Sequence, residues 1–461
     1  MLKKNLPKEN SHLNYSISHI QKNLEILKKY QDKKLTKTSE VKSLLDNLAT
    51  GKNDIENDGI QKIYECCGND MKKSFFTIFN FMIDCVLEDK GNLINNLEPL
   101  KQGTSGFRIY SRYQAFLSIC YILLHFTPQF FSLYSKNLIN TRPSTIQKVL
   151  CILNYLYQIN KIILDGNSAY LHNNSILIIR QVSKEFDFLQ DSDKFLSQFS
   201  NPSIICSKDV NCLLEESLYD IGKGCIEADF ANRYIGGGVL TWGDVQEEIK
   251  FVINPELIIS LGICEYMKEN EAIYIIGSEQ FSQYKGYGFT FQFHQNCFKL
   301  TDSNQIKKIT FGGKIINVVD SILLAFDAKK YSKFEENFSK ENYIREIRKV
   351  YTAFKSLDDD DDNFINLKTI ATGKWGCGVY KGDSEFKFLI QYIACSYFKR
   401  PMTFTCFKDR LLYDKILKFL DFMNQKDLKL SSLMELIENI VKMNEIPENF
   451  SIINFVIDTL L

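Results

Sequence analysis

The spacing of hydrophobic residues divides the chain into two parts with different periodicities. From residue 11 to about residue 163, apolar residues return every three or four positions, most clearly over residues 60–67, 75–87 and 146–156. This spacing is typical of amphipathic helices, and no strand alternation is visible there. We therefore predict an all-helical accessory domain at residues 1–185, with a poorly ordered start where Asn and Lys residues cluster.

The hydrophobic pattern changes between residues 165 and 200, and after this point short β-rich runs alternate with helical segments. The predicted strands are residues 225–230, 272–276, 315–319, 367–372 and 402–407. The predicted helices are residues 245–261, 333–349, 384–398, 409–423 and 430–443. Because such alternation builds a mostly parallel sheet covered by helices, we predict an α/β domain at residues 186–461.

Composition limits the possible partners and the compartment. The 461 residues are 45% hydrophobic, and 56 basic residues balance 56 acidic ones, so any contact with a polyanion has to be local. Thirteen cysteines at irregular positions favour reduced thiols over a secreted disulfide scaffold. The most apolar stretch, residues 113–126, is shorter than the roughly 20 residues that a membrane span needs, so we expect a buried helix there.

Candidate chemistry is concentrated in residues 229–248. The consecutive glycines Gly236, Gly237 and Gly238 free the backbone to turn its N–H groups towards an anion such as phosphate. After seven intervening residues, Gln246, Glu247 and Glu248 stand at the predicted start of a helix. A phosphate-binding loop beside two carboxylates suggests a nucleotide-linked substrate and acid/base chemistry.

The carboxylates also have a structural interpretation. Asp244 can cap the helix, and Glu247 would then complete a capping box. Since a helix advances about 100° per residue, Gln246, Glu247 and Glu248 point in different directions unless the first turn is irregular. A helix N-terminus also lowers the pKa of a carboxyl group, so we expect a bound diphosphate to raise that pKa and load the catalytic proton.

A second glycine-rich segment covers residues 371–383, between a predicted strand and a predicted helix. A strand, a glycine turn and a helix N-terminus together form a potential anion site, although such turns are as often purely structural. The glycine spacings of dinucleotide-binding and P-loop motifs are absent. No histidine or cysteine spacing indicates zinc, and no GxSxG motif indicates a nucleophilic serine.

These motifs, taken together, resemble the poly(ADP-ribose) glycohydrolase family. Asp229-Phe230-Ala231-Asn232-Arg233, GGG, seven residues and QEE match its signature, and Thr372 to Tyr380 is similar to its TGxWGCGxF segment. Lys374 and Tyr380 depart from the Asn and Phe that we expect there. The resemblance spans roughly residues 100–425. It implies a macrodomain, a mixed and mostly parallel α/β/α sandwich that binds ADP-ribose, preceded by a helical accessory domain.

The resemblance also assigns residue roles. It implies Glu248 as general acid and base and Glu247 as the residue that holds the reacting ribose. The substrate-binding residues that it implies are Asp229, Phe230, Asn232, Gly236, Gly237, Gly238, Val239, Gln246, Tyr287, Gly376, Cys377, Gly378, Val379, Tyr380 and Phe407. Without the resemblance, Tyr287 would be interpreted as a packed loop tyrosine, Phe407 as a core residue and Asp229 as a partner for backbone donors.

The implied reaction is hydrolysis of ribose–ribose O-glycosidic bonds in poly(ADP-ribose) through an oxocarbenium-like transition state, with release of ADP-ribose. We expect no metal, no other cofactor, no direct contact with DNA, RNA or membrane, and a monomer located in the nucleus and/or cytoplasm. Two alternatives stay open: a macrodomain reader that binds the polymer without cutting it, and a hydrolase that removes mono-ADP-ribose from proteins. The intact carboxylate pair argues against the reader.

Overall fold

The computed structural model describes residues 17–49, 57–126, 132–184, 192–300, 305–443, 446–447 and 450–461. Of the first 60 residues, where we predict a poorly ordered start, residues 1–16 and 50–56 lie outside the described ranges, and helices occupy much of the remainder. The helices in the described part are α1 (Ile17–Gln31), α2 (Thr38–Leu48), α3 (Ile60–Cys66), α4 (Asn69–Asp89), α5 (Asn92–Asn95), α6 (Arg112–Leu123), α7 (Lys136–Thr141), α8 (Ser144–Leu164), α9 (Ser168–Asn173), α10 (Ser192–Ser197), α11 (Leu218–Ile221), α12 (Gln246–Ile253), α13 (Ile259–Ile263), α14 (Lys340–Phe354), α15 (Ser384–Phe398), α16 (Arg410–Gln425), α17 (Leu430–Val441) and α18 (Ile452–Leu460). The strands are β1 (Gly106–Ser111), β2 (Ser175–Val182), β3 (Val210–Leu213), β4 (Ile226–Asp229), β5 (Glu271–Ile276), β6 (Ser282–Lys285), β7 (Gln292–Asn296), β8 (Ile306–Phe311), β9 (Lys314–Val319), β10 (Ile322–Ala325), β11 (Ile370–Gly373) and β12 (Met402–Thr405).

Eight of these strands form one sheet in the order β1-β2-β5-β10-β4-β11-β12-β3. Neighbouring strands from β10 to β3 run parallel, whereas β1, β2, β5 and β10 pair antiparallel. The sheet separates two hydrophobic cores: on β5, Ile273 and Ile275 join the core that contains α4, α8 and α12, while Ala272, Tyr274 and Ile276 join the core of α14, α15 and α16. Helices therefore cover both faces, as in the α/β/α sandwich that we expect.

Two strands correct the prediction that the N-terminal part is all helical. β1 and β2 come before residue 186, and β2 pairs with both β1 and β5. The sequence of β2, SILIIRQV, is largely apolar and seven of its eight residues are buried, so it lacks the alternation that marks a strand exposed on one face. The division into two domains stays a prediction, although the sheet includes residues from both sides of residue 186.

Other elements differ from the prediction in detail. Strand β9 pairs with β8 in a separate hairpin and does not enter the main sheet. The helix predicted at residues 245–261 is interrupted by a 3-10 turn at Pro255–Ile258, because Pro255 lacks the N–H that continues an α-helix. Helix α14 begins seven residues later than predicted, where Ser339 caps it. The starts of α15, α16 and α17 agree with the prediction to within one residue.

The apolar segment that we expect to form a buried helix does so. Ten of the twelve residues of α6 are buried, including Arg112, which forms ion pairs with Glu256 and Glu279. Within the described ranges, no helix combines the length and the apolar character that crossing a bilayer would need.

Candidate active site

The candidate site lies where the parallel strands end. Asp229 ends β4, Gly373 ends β11 and Thr405 ends β12, and these three strands are neighbours in the sheet. Open α/β folds bind ligands outside this edge, at the carboxyl ends of parallel strands. Both glycine-rich segments and the first turn of α12 leave from this edge or lie beside it, so the fold brings the predicted motifs together.

The two glutamates at the start of α12 are buried and held by backbone N–H groups. Glu247 accepts hydrogen bonds from Gly236 N (2.7 Å) and Asn232 N (2.8 Å). Glu248 accepts hydrogen bonds from Gly238 N (2.8 Å) and Val245 N (3.1 Å). The exposed fractions of Glu247 and Glu248 are 3% and 7%. The first glycine loop therefore fixes both carboxylates.

This arrangement changes the interpretation of the first glycine loop. We expect its N–H groups to face a phosphate, but those of Gly236 and Gly238 face Glu247 and Glu248. The neighbouring N–H groups bond within the loop, since Gly237 N donates to Tyr234 O and Val239 N donates to Gly236 O. The Val239 side chain is fully buried. Contact between this loop and a diphosphate stays a prediction.

Two glycines leave room for the carboxylates. Gly237 has φ +50°, and a Cβ there would lie 2.7 Å from Glu247 Oε2 and closer still to Glu248 Oε1. Gly243 has no positive φ, yet a Cβ there would lie 2.5 Å from Glu248 Cδ and 2.7 Å from Glu248 Cγ. The sequence interpretation missed Gly243. The sequence feature that could have identified Gly243 is its position as a fourth glycine inside the spacer between GGG and QEE.

The start of α12 differs from the capping arrangement that we expect. Val245 is the N-cap residue, and Glu248 returns to its N–H, so the reciprocal carboxylate is Glu248 and not Glu247. Asp244 instead accepts hydrogen bonds from Ser144 Oγ (2.8 Å) and Arg142 Nη1 (3.2 Å). Asp244 therefore ties the loop to the helical part of the chain.

Gln246 points away from the two glutamates, as the helical rotation predicts. Its side chain accepts a hydrogen bond from Phe230 N (2.9 Å) and donates one to Ala228 O (3.2 Å). Its backbone N–H donates to the Tyr287 hydroxyl at 3.2 Å. Gln246 thus links α12 to the end of β4, and Tyr287, which is exposed on the β6–β7 connection, reaches the same helix start.

Asp229 and Glu247 have strongly perturbed acidities. Asp229 is fully buried, and neither of its carboxylate oxygens accepts a hydrogen bond from the described residues, so the interpretation that it serves backbone donors is wrong. Burial, reinforced by the charges of Glu248 and Glu227, raises the pKa of Asp229 well above its usual range. Burial and the charges of Asp229 and Glu248 also raise the pKa of Glu247. The rise for Glu247 precedes any diphosphate binding, so the expectation of a lowered pKa fails for this carboxyl group.

Lys148 is a buried residue of the site that the sequence interpretation missed. It lies on α8, and its Nζ donates to the carbonyls of Thr241 and Gly243, both at 2.6 Å, and of Val239 at 3.1 Å. Burial lowers its pKa to about 7, against the opposing charges of Glu248 and Asp244. The available signal was a lysine close to the apolar residues Ile146, Val149 and Leu150 of α8. Lys148 supports the loop that surrounds Glu248.

The second glycine loop presents free backbone donors. Within the described part of the chain, the N–H groups of Gly376, Gly378, Val379 and Tyr380 donate no hydrogen bond. Gly376 has φ +73°, and a Cβ there would lie 2.5 Å from Ala328 Cβ. Gly378 has no positive φ, and a Cβ there would meet no described atom within 4 Å, so protein contacts alone do not require glycine at this position. The four N–H groups are available to an anion.

Buried groups anchor this second loop. Trp375 is fully buried, and its Nε1 donates to Phe326 O at 2.9 Å. Lys387 lies 3.9 Å from the centre of the Trp375 ring and forms an ion pair with Glu346. Burial raises the pKa of the Cys377 thiol to about 11, so it is protonated near neutral pH and a poor nucleophile.

Two contacts join the remaining predicted residues. Asn232 Nδ2 donates to the Tyr380 hydroxyl at 3.2 Å, which links the two glycine loops. The rings of Phe230 and Phe407 meet edge to face with centroids 6.5 Å apart. Phe407 is half-buried and has φ +49°, a left-handed conformation that costs a non-glycine residue about 1–2 kcal/mol. Such strain is concentrated at ligand sites, and it argues against a purely core role for Phe407.

The layered fold, with its site at the carboxyl ends of the parallel strands, defines a macrodomain. Residues 197–414 match the family model described as "Poly (ADP-ribose) glycohydrolase (PARG), Macro domain fold". This part of the chain is similar to the poly(ADP-ribose) glycohydrolase family, and it contains every predicted site residue. The predictions of family and fold are therefore confirmed.

Three relatives extend this comparison. The chain is 35% identical over 251 residues to poly(ADP-ribose) glycohydrolase 1 of Caenorhabditis elegans, which covers 54% of the chain and 31% of that protein. It is 31% identical over 221 residues to poly(ADP-ribose) glycohydrolase 2 of the same organism, covering 47% and 44%. It is 28% identical over 339 residues to poly(ADP-ribose) glycohydrolase 1 of Arabidopsis thaliana, covering 60% and 56%. The matches thus span from about a third to just over half of these relatives.

Proposed function

We propose that the chain hydrolyses ribose–ribose O-glycosidic bonds of poly(ADP-ribose) and releases ADP-ribose. The observation that carries this proposal is the pair of buried carboxylates, Glu247 and Glu248, held by four backbone N–H groups at the ligand-binding edge of the sheet. The relatives named as poly(ADP-ribose) glycohydrolases support the substrate class.

In the proposed mechanism, Glu248 donates a proton to the departing ribose oxygen as the reacting sugar becomes oxocarbenium-like. Glu248 then removes a proton from the attacking water. Beside Glu248, burial raises the pKa values of Asp229 and Glu247, so these two carboxyl groups retain protons at a pH where isolated carboxyl groups lose them. Glu247 accepts hydrogen bonds from the hydroxyls of the reacting ribose through the lone pairs that its two N–H donors leave free.

The second glycine loop is the better candidate for the diphosphate. Its free N–H groups from Gly376 to Tyr380 can neutralise the anion, whereas those of Gly236 and Gly238 already serve the glutamates. We assign the adenine and its ribose to Phe407, Tyr287 and Gln246. The Gln246 amide already bonds Phe230 N and Ala228 O, so it would contact the ligand through its remaining N–H and lone pair.

The test is the Glu248→Gln variant, which keeps the shape of the side chain but cannot cycle a proton. Release of ADP-ribose from labelled polymer should fall about 10²- to 10⁴-fold, while calorimetry should give ADP-ribose binding close to that of the wild type. Glu341→Gln, whose side chain is 90% exposed, is the matched control. Release at the wild-type rate by Glu248→Gln would show that the assignment is wrong.

The same assay separates the alternatives. Wild-type protein that binds polymer without releasing monomer would be a reader. Release from mono-ADP-ribosylated protein but not from polymer would indicate the third possibility. The buried paired carboxylates favour catalysis, because a pure binder gains nothing from carboxylates beside a diphosphate.

We also propose a monomer located in the nucleus and/or the cytoplasm. All thirteen cysteines fall within the described residues and are free thiols, which supports a reducing compartment. Light scattering of the purified chain and imaging of the tagged protein in cells would test these two points.

A further inference from the structure

Beside the candidate active site, two loops and one arginine form an exposed stack. The guanidinium carbon of Arg142 lies 5.4 Å from the centre of the Trp242 ring and 4.5 Å from the centre of the Phe289 ring. Trp242 and Phe289 are 61% and 63% exposed. The other tryptophan of the chain, Trp375, is fully buried. We call Trp242, Arg142 and Phe289 the Trp242 stack.

The stack is fixed by hydrogen bonds and does not depend on aromatic contact alone. Arg142 Nη1 donates to Trp242 O at 2.9 Å and to Asp244 Oδ2 at 3.2 Å. Asp244 is held in turn by Ser144. Within the described residues, the Arg142 side chain donates hydrogen bonds only through Nη1, so Nη2 and Nε are available to another acceptor. A surface that is already ordered loses less entropy when a ligand binds.

The two loops that carry Trp242 and Phe289 both lie next to the start of α12. Trp242 precedes Gly243, where an added Cβ would lie 2.5 Å from Glu248 Cδ, so this loop passes close to the carboxyl group of Glu248. Phe289 stands two residues after Tyr287, whose hydroxyl accepts the N–H of Gln246. A ligand that fills the active site and continues outward therefore meets the Trp242 stack within a short distance.

We propose that the Trp242 stack binds the adenine of the ADP-ribose unit next to the one that occupies the active site, with Arg142 close to the diphosphate of that unit. This inference rests on the proposed function, because it needs a polymeric substrate. Adenine stacks on aromatic rings and on guanidinium planes, and Arg pairs with phosphate oxygens. Because the chain has no net charge, retention of a polyanion requires a local contact of this kind.

Other occupants fit the stack less well. Single-stranded nucleic acid usually follows a groove with many cations, whereas the Trp242 stack contains one. A side chain of the modified protein would not need two exposed aromatic faces joined by a cation. One purine with one diphosphate matches the stack in size and charge.

The experiment compares binding of two probes to variants that cannot cut the polymer. In the Glu248→Gln background, affinities for free ADP-ribose and for poly(ADP-ribose) oligomers of defined length are measured with and without Trp242→Ala. We expect the oligomer affinity to fall about fivefold or more, and to fall more than the affinity for free ADP-ribose. Trp242→Phe should recover most of the loss, because it keeps an aromatic face. Leu164→Ala, which also removes an exposed apolar side chain (75% exposed against 61% for Trp242), is the control.

Three outcomes would overturn the inference: equal losses for both probes, no loss for either, or a loss of similar size for an adenine-rich single-stranded RNA that binds the parent protein as tightly as the oligomers. Release of ADP-ribose by the protein with Glu248 intact is measured on the same oligomers. Its absence would refute the proposed function, whereas release combined with unchanged oligomer binding by Trp242→Ala would refute only the stack.

Discussion

Replacement of Gly243 by alanine tests directly whether the position of the Glu248 carboxyl group governs catalysis. The added methyl would lie 2.5 Å from Glu248 Cδ, and an ordinary contact begins at 3.4 Å. The carboxyl group must therefore move by nearly an ångström, or the loop must move away from it. A misplacement of about 1 Å at a reacting group can cost about 10²-fold in rate. We expect kcat for ADP-ribose release to fall by about that factor.

Two features of Gly243 make the experiment clean. Its φ is not positive, so alanine adds no left-handed strain, and the crowding involves Glu248 more than any other residue. Gly106→Ala is the matched control, because a Cβ there meets its nearest atom, Leu100 Cδ2, at an ordinary 3.8 Å. Overpacking costs about 1–3 kcal/mol of stability, so folding is checked by denaturant unfolding before rates are compared.

A double-mutant cycle gives the refuting result. If Gly243→Ala acts through the Glu248 carboxyl group, then adding it to Glu248→Gln should lower the rate no further than Glu248→Gln alone. Additive losses would place the effect elsewhere, and a wild-type kcat for Gly243→Ala would show that this position of the carboxyl group is not required.

Two further predictions concern buried charges. The pKa of Lys148 is lowered to about 7, so above that pH the unfolded chain binds more protons than the folded chain, and the stability of the wild type rises with pH. This rise is at most about 1.4 kcal/mol per pH unit, and Lys148→Met should lose it in urea unfolding measured from pH 7 to 9. The exposed control Lys161→Met should follow the wild type. The pKa of Asp229 is raised, so the contribution of Asp229 to stability is present at low pH and is lost as the pH rises above about 3.9. The Asp229→Asn variant should therefore become more stable relative to the wild type as the pH rises. Parallel curves of stability against pH for the two proteins would contradict this prediction.

In the parallel half of the sheet, the local patterns were sufficient for β4, β11 and β12 and for the helices α15, α16 and α17, whereas β3 and β10 were missed. Helices α16 and α17 show clear apolar stripes, and α15 is buried along most of its length after the cap residue Asp383. Strands β4 and β12 stand between turn residues, and the positions of all five elements agree closely with the prediction. Strand β2 was missed because both of its faces are buried. Strand β1 was missed because it contains few buried residues, and its partner lies some 70 residues along the chain.

The site residues also fall into two groups, those that local motifs predict and those that they do not. The motifs identified the carboxylates and both glycine loops, because those residues are close together in sequence. Lys148, Arg142 and Ser144 reach the same loop from about 100 residues earlier, and only the packing of α8 places them there. Nor could the sequence show that the N–H groups of Gly236 and Gly238 face side chains of the protein itself, since a flexible loop can present its donors to either kind of anion.

The antiparallel pairing of β2 with β5 limits how this chain can be shortened. A fragment that started at residue 186 would lack β1 and β2, and the hydrogen-bonding groups along one side of β5 would be left open to solvent. All six residues of β5 are buried in the intact protein, so that newly exposed border would be apolar and ready to pair with other molecules. Such a fragment would tend to aggregate. A shortened protein that keeps the complete sheet should therefore start before Gly106.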